Sequence, residues 1–126
     1  MIELERYLRG LLNQVHASYL TLDGLSDKPG DLETIRRALA KINGTLLNIG
    51  KKIDTNQQEL ENYQYLKSPI RNYLENHEFF REMETMATLY SDDPMRLRNL
   101  RLSIIDALSE NNLLAHINSI VREQNE

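Results

Sequence analysis

Residues 32–63 read LETIRRALAKINGTLLNIGKKIDTNQQELENY. Their apolar side chains fall at alternating steps of three and four: Leu32, Ile35, Leu39, Ile42, Leu46, Ile49, Ile53, then polar Asn56, then Leu60 and Tyr63. This heptad register runs for more than four repeats and describes a helix burying one narrow seam. Through Ile49, Leu takes the a-type positions and Ile the d-type positions, which in parallel coiled coils suits four-stranded packing over dimers. Asn56 falls at a d-type position, where a polar side chain can set register.

A helix over about 31–66 would run roughly 50 Å at 1.5 Å per residue. A compact chain of this length is only roughly 35 Å across. Such a helix either bends, with Gly50 the natural place, or projects to meet another chain. Gly44 and Gly50 each cost about 1 kcal/mol relative to alanine in a helix interior. The apolar phase nevertheless passes unchanged from Ile49 to Leu60, so the spacing predicts a continuous or gently kinked helix.

Outward from this stretch, three prolines punctuate the chain. Pro29 lies in the turn cluster 26–31, which ends one helix and offers Asp31 as the cap of the next. Ser68-Pro69 and Asp93-Pro94 each read as a capping residue followed by proline at the first helical position. The segments are therefore about 2–26, 31–66, 69–90 and 94–124. None alternates strictly as a half-buried strand does. The first buries Leu4, Leu8, Leu11, Val15 and Leu22 on one stripe. The third carries Ile70, Tyr73, Leu74, His77 and Phe80, and Phe79, Met83, Met86 and Tyr90 add a second apolar strip. In the last, Leu113 falls about 180° from Ile104 on a continuous helix. A corner at 109–112 resolves that conflict, because Ser and Asn favour caps and turns.

Composition narrows the function. The 126 residues are enough for one domain with a real core. Cysteine is absent, which excludes disulfides, thiolate zinc sites and cysteine nucleophiles and is consistent with a reducing, cytoplasmic setting. No stretch approaches the ~18 uninterrupted apolar residues of a membrane span, and the first residues carry acids in place of a basic-then-apolar signal pattern. A net charge of −4 speaks against coating nucleic acid.

The strongest local motif is Arg71-Asn72-Tyr73-Leu74-Glu75-Asn76-His77. It resembles the Arg-x4–6-His signature of the HEPN ribonuclease superfamily, a family of small helical bundles that often dimerise. The resemblance implies that Arg71 holds the scissile phosphate and that His77 assists proton transfer or orients the attacking 2′-hydroxyl. On one helix the two lie about 120° apart, so a second copy would have to bring them together. His77 also falls on the apolar face beside Tyr73 and Phe80, where a core or interface histidine is the simpler reading. His77-Glu78-Phe79-Phe80-Arg81 begins like a zinc-protease motif but places Arg81 where a second metal ligand must stand. His16 and His116 are isolated, and the five glycines are scattered singly, with no phosphate loop.

Arg96, Arg98 and Arg101 open the fourth segment, and the corner after it imitates a helix-turn-helix. A DNA-binding regulator is the second alternative. Helix starts prefer acids to bases, and residues 94–126 carry four bases and four acids, so no basic stripe extends beyond the cluster. Salt bridges to the acidic third segment, with six acids against three bases over 67–93, are the plainer expectation.

The whole sequence thus predicts an all-α, single-domain molecule (1–126): a four- to five-helix bundle with up-down connectivity and a long second helix over about 31–66. Its expected work is non-enzymatic, without metal or cofactor: a small cytoplasmic adaptor, chaperone or inhibitor acting through helix–helix contacts and self-associating. The expected interaction residues are Ile35, Ile42, Ile49 and Asn56 on the seam, with Phe79, Met83, Met86 and Tyr90 on the Met-and-aromatic strip. The partner is another protein, in no membrane, and nucleic acid is disfavoured.

Overall fold

The computed structural model describes residues 2–124, with only the backbone of Ile2 and Gln124. Met1, Asn125 and Glu126 of the expected domain lie outside the described residues. Six α-helices account for most of the chain: α1 (Ile2–Asp23), α2 (Asp31–Thr55), α3 (Lys67–Asn76), α4 (Phe80–Leu89), α5 (Pro94–Ser109) and α6 (Leu113–Gln124). Two short 3-10 segments, Glu61–Leu66 and Glu110–Asn112, link them, and no strand occurs among the described residues.

The helices make four antiparallel passes. Tyr7 at the start of α1 meets Asn48 near the end of α2 (Asn48 Nδ2 donates to Tyr7 Oη, 3.3 Å), so the second pass runs back along the first. The third pass, α3 and α4, returns along α2: Lys67 pairs with Asp54 at 2.6 Å, and Tyr73 Oη donates to Asn43 Oδ1 at 2.7 Å. In the fourth, α5 starts beside the end of α1, where Arg101 holds Asp27, and Glu110 beyond its end meets His77. α6 continues along α1, with His16 Nδ1 2.8 Å from Asn118 Oδ1. The all-α bundle is as expected, and its four passes contain six helices because the third and fourth are interrupted.

The second helix begins where the heptad begins but ends earlier than expected. It passes through Gly44 and Gly50 without a break and stops at Thr55, not near 66. Thr55 Oγ1 donates to the Lys51 carbonyl (2.8 Å) and Asn56 Nδ2 to that of Lys52 (2.9 Å). Gln64 reaches back from the 3-10 segment to the Ile53 carbonyl at 3.0 Å. The last of these satisfies a carbonyl that the helix end leaves without a backbone partner. Leu60, Tyr63 and Leu66 are nevertheless buried, because steps of three suit a 3-10 turn as well as an α-helix. The helix start also differs. Gly30, in the left-handed region at φ 95°, precedes Asp31, whose carboxylate accepts from the Lys28 N–H in the preceding turn at 3.0 Å.

The third pass breaks at 77–79, where His77 is extended (φ −128°, ψ 126°). α3 starts at Lys67, so Pro69 is its third residue and buried, not its first. Asp93 does cap α5 as its sequence suggests, accepting from the N–H groups of Met95 and Arg96 (3.0 and 3.2 Å) with Pro94 at the first position. The corner between α5 and α6 also falls at 109–112, with Asn111 and Asn112 both at positive φ.

A continuous cluster of buried apolar side chains joins all the passes. The seam Leu32 to Ile53 lies at its centre, fully or almost fully buried. It is closed within one chain, chiefly by α1 and α3.

Candidate interaction surface

That closure relocates the first set of expected interaction residues. Ile35, Ile42 and Ile49 have no accessible surface, so they are core residues and not a seam open to a second chain. Asn56, expected to set register between helices, instead caps α2 and donates to Lys52 and Thr55.

The second set divides. Met83 and Met86 are buried, where α4 lies against α2, and Phe79 is half-buried and stacked on His77 (centroids 5.8 Å apart, planes 1° apart). Tyr90 stays on the surface with the Arg96 guanidinium 3.6 Å over its ring. Between the first turn of α2 and α4 runs a groove of about 400 Å³, floored by Leu32, Phe80, Met83 and Ala87. Glu33, Arg36, Glu84 and Asp92 edge it. Arg36 is already held by Glu33 (Nε to Oε2, 3.0 Å), and that guanidinium keeps the Glu33 carboxyl below the usual carboxylate range. Glu84 and Asp92 have no ion pair among the described residues.

Beside this groove the α4–α5 corner projects apolar side chains, of which the sequence pattern singled out Tyr90 alone. Leu89 is 68% exposed, Met95 71%, Leu102 38% and Tyr90 37%. The signal that marks two of them is phase: Met95 and Leu102 lie about 160° and 140° around α5 from Leu97 on its buried stripe. Met95, Arg98 and Leu102 also border an open groove of about 700 Å³ against Ser26 and Asp27.

The ribonuclease-like pair is not assembled within one chain. Arg71 is exposed and borders a shallow groove toward α2 with Lys51, Asp54 and Lys67. His77, past the end of α3, points to Glu110, with Nε2 and Oε2 3.0 Å apart. The arginine cluster is likewise dispersed. Arg101 donates through Nε and a terminal nitrogen to both oxygens of Asp27 (2.9 and 3.0 Å) and to the Leu22 carbonyl (3.3 Å). Its partner lies in the α1–α2 loop, not on the acidic third pass as expected. Arg96 covers Tyr90, and Arg98 is exposed with neither an ion pair nor a ring contact among the described residues.

His116 sits edge-on to Tyr65 at 4.8 Å. No three metal-ligating side chains come together among the described residues, and no described helix is long and apolar enough to cross a membrane. No protein family, curated protein or solved structure matches the chain.

Proposed function

We propose that this chain is a non-enzymatic protein–protein interaction module, a small cytoplasmic adaptor, chaperone or inhibitor that works by surface contact. The observation that carries the reading is the apolar corner between α4 and α5. Leu89 and Met95 are two-thirds or more exposed and flank the turn whose Ser91 and Asp92 line a groove with an apolar floor. Single exposed apolar residues are ordinary on any protein surface. Several gathered at one corner beside an apolar groove are the usual mark of a contact site. The ribonuclease and DNA-binding alternatives are left with sequence patterns alone.

The test is photo-crosslinking in cells from a reactive side chain at position 89 or 95, with exposed Lys41 as the control position. Protein adducts should form at 89 and 95 and not at 41. Leu89→Asp and Met95→Asp should abolish partner association without lowering the melting temperature. Equal labelling at all three positions would sink the reading.

A further inference from the structure

The groove between α2 and α4 and the outer face of α5 are both apolar and are complementary in charge. Glu84 and Asp92 give the groove two carboxylates with no ion pair among the described residues, above an apolar floor that includes Leu32 and Met83. On α5, Met95, Arg98 and Leu102 follow the i, i+3, i+7 spacing that puts three side chains within about 60° of one helical face. That face is therefore an apolar ridge whose middle guanidinium has no ion pair among the described residues. It sits in a stretch of α5 with three arginines and no acid before Asp106, although the whole chain is acidic.

The two features flank one turn. Ser91 and Asp92 close the end of the groove, and Asp93 and Pro94 begin the ridge. When ridge and groove adjoin in this way, two chains related by a two-fold axis can exchange them reciprocally, and the assembly closes at two.

We propose that the occupant of the α2–α4 groove is the Met95–Arg98–Leu102 face of a second copy of this chain, with Arg98 of each copy against Glu84 and Asp92 of the other. This rests on the interaction-module reading and names its partner and its surfaces. Apolar contact supplies the attraction, and the charges fix which way round the copies meet. An association of this kind weakens as salt screens the rim.

The full-length chain is measured by sedimentation and light scattering across a concentration series at low and high salt. The expected result is a monomer–dimer equilibrium that shifts toward monomer at high salt. Met95→Glu, Arg98→Glu and Glu84→Arg should each raise the dimer Kd about tenfold or more, with helical circular dichroism and melting temperature of the monomer unchanged. The double variant carrying Glu84→Arg and Arg98→Glu, made in an Asp92→Asn background so that no like charge faces position 98, restores opposite charges at the contact and should dimerise again.

Three results would overturn the proposal: a wild-type chain that is monomeric at its highest soluble concentration, a dimer indifferent to the single changes, or a double variant that stays monomeric. The two levels separate cleanly. A monomeric chain that still yields protein adducts at position 89 overturns self-docking alone, whereas no adduct with any protein overturns the interaction reading itself.

Discussion

Asp27 takes a left-handed backbone conformation (φ 63°) while both of its carboxylate oxygens accept from one edge of the Arg101 guanidinium. Both side chains are nearly buried, 13% and 11% exposed, so the pair is screened little by solvent or salt. The Asp27 carboxylate also keeps the Arg101 pKa above its ordinary value. Asp27→Asn retains a residue tolerant of that backbone and removes only the charge. It should destabilise the chain by about 2 kcal/mol, because the nearly buried Arg101 is left without a counter-charge. Arg101→Ala should cost a similar amount, and thermal unfolding of both singles and the double should show non-additivity. Strict additivity would mean that the two side chains are not coupled. Tyr73 makes a second residue-scale case, one with a pH signature. Burial pushes its phenol well above the usual range, and its hydroxyl donates to Asn43. The folded chain therefore keeps a proton that the unfolded chain releases near pH ~10. Stability is full below that pH and falls as pH rises through it, by up to about 1.4 kcal/mol per pH unit. Tyr73→Phe should cost about 1 kcal/mol near neutral pH, since Asn43 loses its donor. It should also flatten the alkaline slope without abolishing it, because burial raises the Tyr65 phenol too. Denaturant titrations at about pH 7 and about pH 11 measure both effects, and an unchanged slope would contradict the assignment.

At the scale of one helix, α2 tests whether its glycines are needed. A Cβ built at Gly44 meets nothing within 4 Å, and at Gly50 only Ile70 Cγ2 at an ordinary 3.7 Å. Gly44→Ala should therefore stabilise the chain by up to about 1 kcal/mol through helix propensity and a less flexible unfolded state. A lowered midpoint in chemical denaturation would show that position 44 has a role beyond the helix. The opposite holds at the α5–α6 corner, where Asn111 and Asn112 are consecutive left-handed residues. Asn111→Val should cost about 1–2 kcal/mol, because a β-branched side chain resists that conformation. This corner was legible in the sequence, since Leu113 and Ile104 cannot share a face on one helix. The same reasoning applies to the third pass: on a continuous helix Met86 would lie about 160° around from Ile70, yet both are buried. The extended residue at His77 resets that phase. The sequence does not mark it, because the many apolar residues of 69–90 read equally well as a helix covered on two sides. The end of α2 was illegible for a different reason. Leu60, Tyr63 and Leu66 keep the apolar rhythm through a 3-10 turn, so periodicity alone does not separate the two helix types. Of the expected site, the Met-rich strip did mark the helix beside the groove, since Met83 floors it. Arg101 was recognised as part of a cluster, but its partner, 74 positions away in a loop, has no local trace in the sequence.

For the molecule as a whole, the seam of α2 decides between two ways of using the same pattern. A Leu/Ile stripe of this regularity serves equally well to join two chains or to hold one together. In this fold α1 and α3 pack on α2, and the stripe lies at the centre of a single buried cluster. Ile42 has no accessible surface. A carboxylate there would be desolvated with no cation beside it, which adds several kcal/mol to the loss of a buried aliphatic side chain. A domain of this size has only about 5–15 kcal/mol of net stability. Ile42→Asp should therefore unfold the chain outright, seen as loss of helical circular dichroism and of the cooperative thermal transition. Ile42→Val, removing one methylene, should cost only about 0.5–1.5 kcal/mol and leave the oligomeric state unchanged. The contrast matters because a seam between chains predicts the reverse order of events. There, Ile42→Asp would yield a folded, helical monomer, and Ile42→Val would weaken association without touching the monomer. A folded Ile42→Asp chain would thus reopen the seam as an interface and displace the α4–α5 corner from that role.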